Sequence, residues 1–226
     1  MEVENYKKYY QENIKGSNFK LNSHAQPWHT DRLEKVAEII NKENFNSILD
    51  LGSGRGDIFD MVGISNKYSI EINHDWHDHL TTKGVEIIND DVFALINDDF
   101  NCRADCVVAT EFFEHFPYYD LLPLLRALHK RINSKLIISV PNPVSLLART
   151  QTFLKGNFSY AQVSLDHAFM QDVHGWSRLF ENVGFTVLQT FGVGMKIPKP
   201  WGGVWYSKKP LRKSMADYLI FVCSKK

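Results

Sequence analysis

Cysteine is scarce, with Cys102, Cys106 and Cys223 the only three in 226 residues and no Cys-x-x-Cys pair among them. That excludes a disulfide framework and points to a reducing compartment. No run of eighteen apolar residues occurs, so no membrane-spanning helix is expected. Net charge is lacking as well: 26 Lys and Arg balance 26 Asp and Glu, and no overall field draws the chain to nucleic acid. There is no internal repeat and no low-complexity tract. The first residues, MEVENYKKYYQENIKG, are polar and charged rather than a secretory signal, and a cytoplasmic protein is expected. The length suits one domain with ordinary apolar content and a true core.

What charge there is lies unevenly. Residues 46–120 hold fifteen acids against four Lys and Arg, while 186–226 hold eight Lys and Arg against Asp217 alone. The acidic half surrounds the stretch ILDLGSGRGD, residues 48–57. A dinucleotide fingerprint would read G-x-G-x-x-G. Gly52 and Gly54 fit it, but the third position is Asp57, which would place negative charge against a diphosphate. No Gly-Lys-Ser/Thr follows, so a P-loop is excluded. What remains, an acid at a strand end followed by alternating glycines, suits a ligand without phosphate, and the acidic surroundings favour a cationic one.

The apolar pattern alternates between strand and helix. DRLEKVAEIINK, residues 31–42, predicts a helix. NSILDLG predicts a first strand and DIFDMVG the start of the next helix, while KYSIEIN, GVEIIND and ADCVVAT predict three further strands. YYDLLPLLRALHKRI predicts a helix with a kink or start at Pro123, and SKLIISVPNP a fifth strand. Beyond it come a helix over VSLLARTQTFL, another over VHGWSRLFENVGF, and final strands FTVLQTFGV and DYLIFVCSK separated by a loop at 195–214. Such alternation implies right-handed βαβ units and an α/β, doubly wound sheet, with a ligand beyond the carboxyl ends of the strands.

With those elements in place, the sequence resembles the class I S-adenosylmethionine-dependent methyltransferases. ILDLGSGRGD is similar to that family's first motif, YSIEIN to its second, INDDVFAL to its third and ADCVVATEFFEHF to its fourth. LIISVPNP and the segment from Phe153 to Phe185 are similar to a small-molecule and glycoconjugate branch, although Ala168 and Met170 depart from its usual texture after the histidine. The resemblance implies a Rossmann-like, seven-stranded sheet, mostly parallel with an antiparallel last strand. It implies one domain over 1–226, with a cap segment at 1–30 and substrate or lid elements at 144–170 and 195–214.

The cofactor so implied, S-adenosyl-L-methionine, carries a sulfonium, an ammonium, a ribose diol and an adenine. Asp50 is suited to the ammonium, directly or through water, while Gly52, Ser53 and Gly54 let the backbone pass close to the amino-acid end. Glu71 is suited to both ribose hydroxyls, with Ile72 beside it. Asp91, rather than Asp90, is assigned to the adenine amino group, with Val92 on the ring and Ala109 and Thr110 across the crevice.

Methyl transfer needs alignment and exclusion of water, and a base where the acceptor must lose a proton. Glu114, His115, His167 and His174 are the candidates, with His115 and His167 assigned to the active site and His174 to a helix start. His74, His77 and His79 do not have metal-ligand spacing, Asn142 is the only polar candidate at the fifth strand, and no metal ligand is assigned. Tyr6, Tyr9, Tyr10, Trp28, His29, Arg32, Phe153, Phe158, Tyr160, Phe169, Trp201 and Trp205 are candidates to line an acceptor pocket or lid, with ordinary packing of appended helices on the sheet the alternative for each. KKPLRK, residues 208–213, is either a solvated loop or a weak contact for an anionic surface or acidic acceptor. The expected activity is transfer to oxygen or nitrogen of a small-molecule or glycoconjugate acceptor, with nucleic acid disfavoured and the oligomeric state open. A non-catalytic cofactor-binding module, a protein or nucleic-acid methyltransferase, and more remotely a dehydrogenase are the alternatives.

Overall fold

The computed structural model describes residues 27–97, 103–156 and 167–225. The cap segment up to residue 26, with Tyr6, Tyr9 and Tyr10, lies outside them, as do Phe158 and Tyr160. Helix α1 spans Pro27–Asn41, followed by β1 (Ser47–Leu51), β2 (Asn66–Ile70), α2 (His77–Thr82), β3 (Val85–Asn89) and β4 (Ala104–Thr110). Then come α3 (Tyr118–Arg131), β5 (Ile132–Pro141), α4 (Leu146–Lys155), α5 (Val173–Asn182), β6 (Phe185–Val193), β7 (Met195–Pro198), β8 (Val204–Ser207) and β9 (Tyr218–Lys225).

Seven strands form one sheet in the order β3-β2-β1-β4-β5-β9-β6. β1 to β5 pair in parallel, and β9 inserts antiparallel between β5 and β6. The expected antiparallel last strand is therefore present. Strand order reverses between β1 and β4, which opens a crevice beyond their carboxyl ends.

The two-residue period of the central strands supplies both halves of the core. Leu49, Leu51, Val107, Ala109, Leu136 and Ile138 face a cluster completed by Leu121, Leu125, Leu128, Trp176 and Phe180 from α3 and α5. Ile48, Cys106, Val108 and Ile137 face the other cluster, completed by Val36, Ala37 and Ile40 from α1. Both faces are covered, as parallel strands require.

Three expectations need correction. DIFDMVG does not begin a full helix: only a 3-10 turn, Asp57–Asp60, forms there, capped by Gly56 in the left-handed region. Its Ile58 and Phe59 are both buried, and Gly63, three residues beyond the turn's end, leaves too short an apolar run to continue it as a helix. Of the two alternatives at Pro123, the start is excluded: helix α3 begins at Tyr118 and runs through that proline. The 195–214 stretch is not all loop, because β7 and β8 pair antiparallel as a second small sheet. Gly202 and Gly203, at φ 94° and 79°, supply the turn that joins them.

Candidate functional site

Each assigned carboxylate sits where a parallel strand ends. Asp50 is the fourth residue of β1, 3 % exposed, and burial pushes its carboxyl up to about 8. Its Oδ1 is buried without a hydrogen-bond partner among the described residues. Ser53 folds its hydroxyl back onto the Asp50 carbonyl at 3.1 Å and shares a 2.8 Å hydrogen bond with the Ser69 hydroxyl. Gly52 and Gly54 adopt φ of 67° and 52°. A Cβ on Gly52 would lie 2.6 Å from Phe112 Cδ2, whereas one on Gly54 would enter space with no atom within 4 Å. The first glycine lets an aromatic ring pack close; the second leaves a cradle beside the backbone.

Glu71 follows β2 directly and is 3 % exposed. Its carboxylate accepts hydrogen bonds from the Gly54 N–H at 2.6 Å and the Asn73 N–H at 2.7 Å. Burial raises its pKa, and those two bonds pull it back. The acid thus clamps the glycine turn to the end of β2, and each oxygen keeps one lone pair for a further donor. Ile72 is half-buried beside it. Asp91 follows β3, and its side chain accepts the Phe93 N–H at 2.9 Å, capping a 3-10 turn over Val92–Ile96. Val92 belongs to the core. Ala109 is wholly enclosed, so only its backbone is available to a ligand, while Thr110 is half-buried at the end of β4.

The stretch after β4 is the most constrained part of the site. Glu111 has φ 52°, the only non-glycine residue at positive φ among those described. Non-glycine residues adopt that conformation at a cost, and such strain gathers at functional sites. Arg32 Nη1 stands 3.1 Å from Glu111 Oε1, and burial raises the Glu111 carboxyl to about 7 against the pull of that guanidinium. A 3-10 turn over Phe113–His115 follows, with Phe113, Glu114 and Phe116 all buried. Phe169 donates its N–H to the Glu114 carbonyl at 2.9 Å, which ties the 167–172 segment to this turn. His115 and His167 consequently meet with ring centroids 5.2 Å apart. One ligand atom each from Glu114, His115 and His167 lie within 4.8 Å of one another.

Other assigned residues fall elsewhere. His174 is exposed on the first turn of α5, a helix whose N-cap is Asp172. His77 Nε2 contacts the Glu71 carbonyl at 2.7 Å and His74 Nε2 contacts Asp90 at 3.2 Å. Asn142 is structural: its amide donates to the Ala216 carbonyl at 2.7 Å. Trp28 and His29 stand at the start of α1, where Trp28 meets the Tyr206 ring at 5.8 Å and His29 the Tyr218 ring at 6.2 Å. Trp201, Trp205 and Phe153 are exposed.

Sequence reasoning missed Glu111, Lys196 and Asp217. Asp217 is 2 % exposed at the start of β9, its pKa raised by burial, and Lys196 on β7 is lowered by burial. An acid on the strand end in ATEFFEHF was the available signal for Glu111.

A family model described as "Methyltransferase domain" matches residues 21–190. The chain belongs to the S-adenosylmethionine-dependent methyltransferases. No curated protein matches the methyltransferase by sequence. Solved structures share its fold at low identity. A magnesium protoporphyrin IX methyltransferase from Synechocystis PCC 6803 with bound SAH is 13 % identical, at TM-score 0.60, covering 99 % of both chains. A possible histamine N-methyltransferase from Thermotoga maritima is 12 % identical, at TM-score 0.59, covering 99 % of this chain and 96 % of the other. The small RNA methyltransferase HEN1 is 15 % identical, at TM-score 0.65, over 88 % of this chain and 25 % of that one. The methyltransferase uses S-adenosyl-L-methionine. Its own residues fit that cofactor: Asp50 Oδ1 is buried without a hydrogen-bond partner among the described residues, which suits a cationic group, and the Gly54 backbone borders open space.

Proposed function

We propose that this methyltransferase acts on an oxygen or nitrogen atom of a small-molecule or glycoconjugate acceptor, at a site lined by His115 and His167. The bound donor supplies an electrophilic methyl group on a sulfonium. Asp50 neutralises the donor's ammonium, and the Gly52-Ser53-Gly54 backbone lies along its amino-acid end. Glu71 accepts from the ribose hydroxyls through the lone pairs its backbone partners leave free. Asp91 receives the adenine amino group, with Ile72, Val92 and the backbone around Ala109 and Thr110 forming the walls.

One observation carries the acceptor side of this reading: the meeting of the His115 and His167 rings at the carboxyl end of β4. Two imidazoles there can orient an acceptor and hold its proton. The excess of acids over bases in residues 46–120 opposes a polyanionic acceptor.

Calorimetry with S-adenosylmethionine tests the donor site. Wild type is expected to bind, and the double variant Asp50→Ala, Glu71→Ala to show no measurable heat; unaltered binding would overturn the assignment. Transfer of labelled methyl to members of a small-molecule and oligosaccharide panel is expected. Labelling of RNA or protein alone would overturn the acceptor class.

A further inference from the structure

Glu114 is a carboxylate with no solvent exposure, on a 3-10 turn anchored by the core residues Phe113 and Phe116. Burying a carboxylate is unfavourable unless a cation or hydrogen bonds compensate it. Two imidazoles converge on this one. His115 is next to it on the turn, and His167 is delivered from another part of the chain by the Phe169 N–H to Glu114 carbonyl bond. Phe169 is fixed in turn by rings at 5.8 Å (Tyr118) and 5.1 Å (Trp176). Ligand atoms of all three residues lie within 4.8 Å of one another. Metal–ligand bonds of about 2.1 Å place neighbouring ligand atoms about 3.0–3.4 Å apart, a contraction that small side-chain rotations supply.

We infer that Glu114, His115 and His167 form a divalent-cation site beside the donor crevice, which takes a hydroxyl-bearing acceptor as a further ligand. The donor set selects among cations. Two imidazoles and one carboxylate suit borderline first-row ions such as Mn²⁺, Co²⁺ or Zn²⁺, whereas Ca²⁺ and Mg²⁺ prefer oxygen ligands throughout. Three protein ligands leave coordination positions open, as at catalytic rather than structural sites. The location also fits. Phe112, the residue preceding the turn, packs on Gly52 of the donor loop, so the cluster borders the crevice.

The inference rests on the methyltransfer reading and narrows it to oxygen acceptors. A hydroxyl bound to the cation loses its proton to solvent more readily than a free one. The oxygen then forms a bond to the methyl carbon, and the carbon–sulfur bond breaks with its electron pair staying on sulfur. The sulfonium becomes a neutral thioether and the acceptor a methyl ether. Proton removal thus passes from an imidazole base to a metal-ligated oxygen, and the histidines serve as ligands.

Titration of the metal-free chain with Co²⁺, followed by visible d–d absorption and calorimetry, tests this directly. One Co²⁺ per chain is expected. Glu114→Gln and His167→Ala are each expected to weaken binding at least about 100-fold, since even outer-shell losses weaken metal sites 10–100-fold. His115→Ala, altering a half-buried position, is expected to do the same and guards against a folding defect at Glu114. His79→Ala is expected to leave Co²⁺ binding unchanged. Absence of stoichiometric binding, or equal binding in all the ligand variants, would overturn the site. Binding of S-adenosylhomocysteine is measured on the same samples. If it persists without Co²⁺ binding, the cation site falls and the donor reading stands. If Co²⁺ binds and the homocysteine product does not, the donor reading falls and the cation site stands.

Discussion

Gly52 and Gly54 share the left-handed region but not their surroundings, and replacing each by alanine should separate stability from donor affinity. Both alanines incur the left-handed penalty of about 1–2 kcal/mol, partly offset by about 0.4–1 kcal/mol from a less flexible unfolded chain. At Gly52 the new methyl also lies 2.6 Å from Phe112 Cδ2 and 3.0 Å from Cε2. The Phe112 ring cannot simply swing aside, because it is held 5.0 Å from Phe116 and 5.6 Å from Phe113. Overpacking of this kind adds about 1–3 kcal/mol, for a net loss of about 2–4 kcal/mol. A domain of this size loses about 2–4 °C per kcal/mol, so Gly52→Ala should melt roughly 4–16 °C lower.

Gly54→Ala meets no atom within 4 Å and should melt only about 2–4 °C lower. Its methyl, however, fills the space assigned to the donor, and affinity for S-adenosylmethionine should fall at least tenfold, about 1.4 kcal/mol. Thermal denaturation and calorimetry on the two variants give the four values. Equal destabilisation of both would refute the packing argument, and unchanged donor affinity in Gly54→Ala would refute the cradle.

Three further substitutions probe the buried charges and the β7–β8 hairpin. With its folded-state pKa raised from about 4 to about 8, Asp50 binds a proton in the folded state that the unfolded chain has released. Without donor, stability should therefore fall as pH rises from 4 to 8; Asp50→Asn should flatten that fall while weakening donor binding, and an unchanged melting profile would count against the burial. Arg32→Ala strips Glu111 of its guanidinium partner and should cost about 3–5 kcal/mol; a melting point within 3 °C of wild type would contradict that pairing. Tyr206 donates its hydroxyl to Asp31 at 2.7 Å, joining β8 to α1. Tyr206→Phe should cost about 1–2 kcal/mol and raise proteolysis between 195 and 208; resistance equal to wild type would mean the hairpin is held by other contacts.

The sequence made the sheet legible because β1, β4 and β5 are apolar runs bounded by glycine, proline and acids. The positions of Asp50 and Glu71 followed, since a carboxylate at a strand end lies at the crevice whatever the loops do. Four things were not legible. The turn over Asp57–Asp60 was read as a helix because Ile58, Phe59 and Met61 offer too short a pattern to distinguish one turn from several. The β7–β8 hairpin was read as loop because its prolines and glycines dominate its short alternating strands. The pairings Arg32 with Glu111 and His115 with His167 depend on tertiary contact between distant segments, and no local period encodes them. The left-handed backbone at Glu111 is similarly silent in the sequence, since glutamate carries no preference for it.

Asp50, Glu71, Glu111 and Asp217 occupy the ends of four different strands at one edge of the sheet, and burial raises the pKa of each. A fold selected only for stability would have used apolar or amide side chains there, because each ionised carboxylate is unfavourable without a matching cation. Arg32 and Lys196 compensate the Glu111 and Asp217 end. On the Asp50 and Glu71 side the largest compensation comes from a hydroxyl and backbone amides rather than from a cation. The edge is thus divided into a half neutralised by the chain's own bases and a half where the proposed donor would supply the positive charge. That division supports the proposal that a sulfonium and ammonium compound binds at the glycine turn rather than at the equally acidic end of β9.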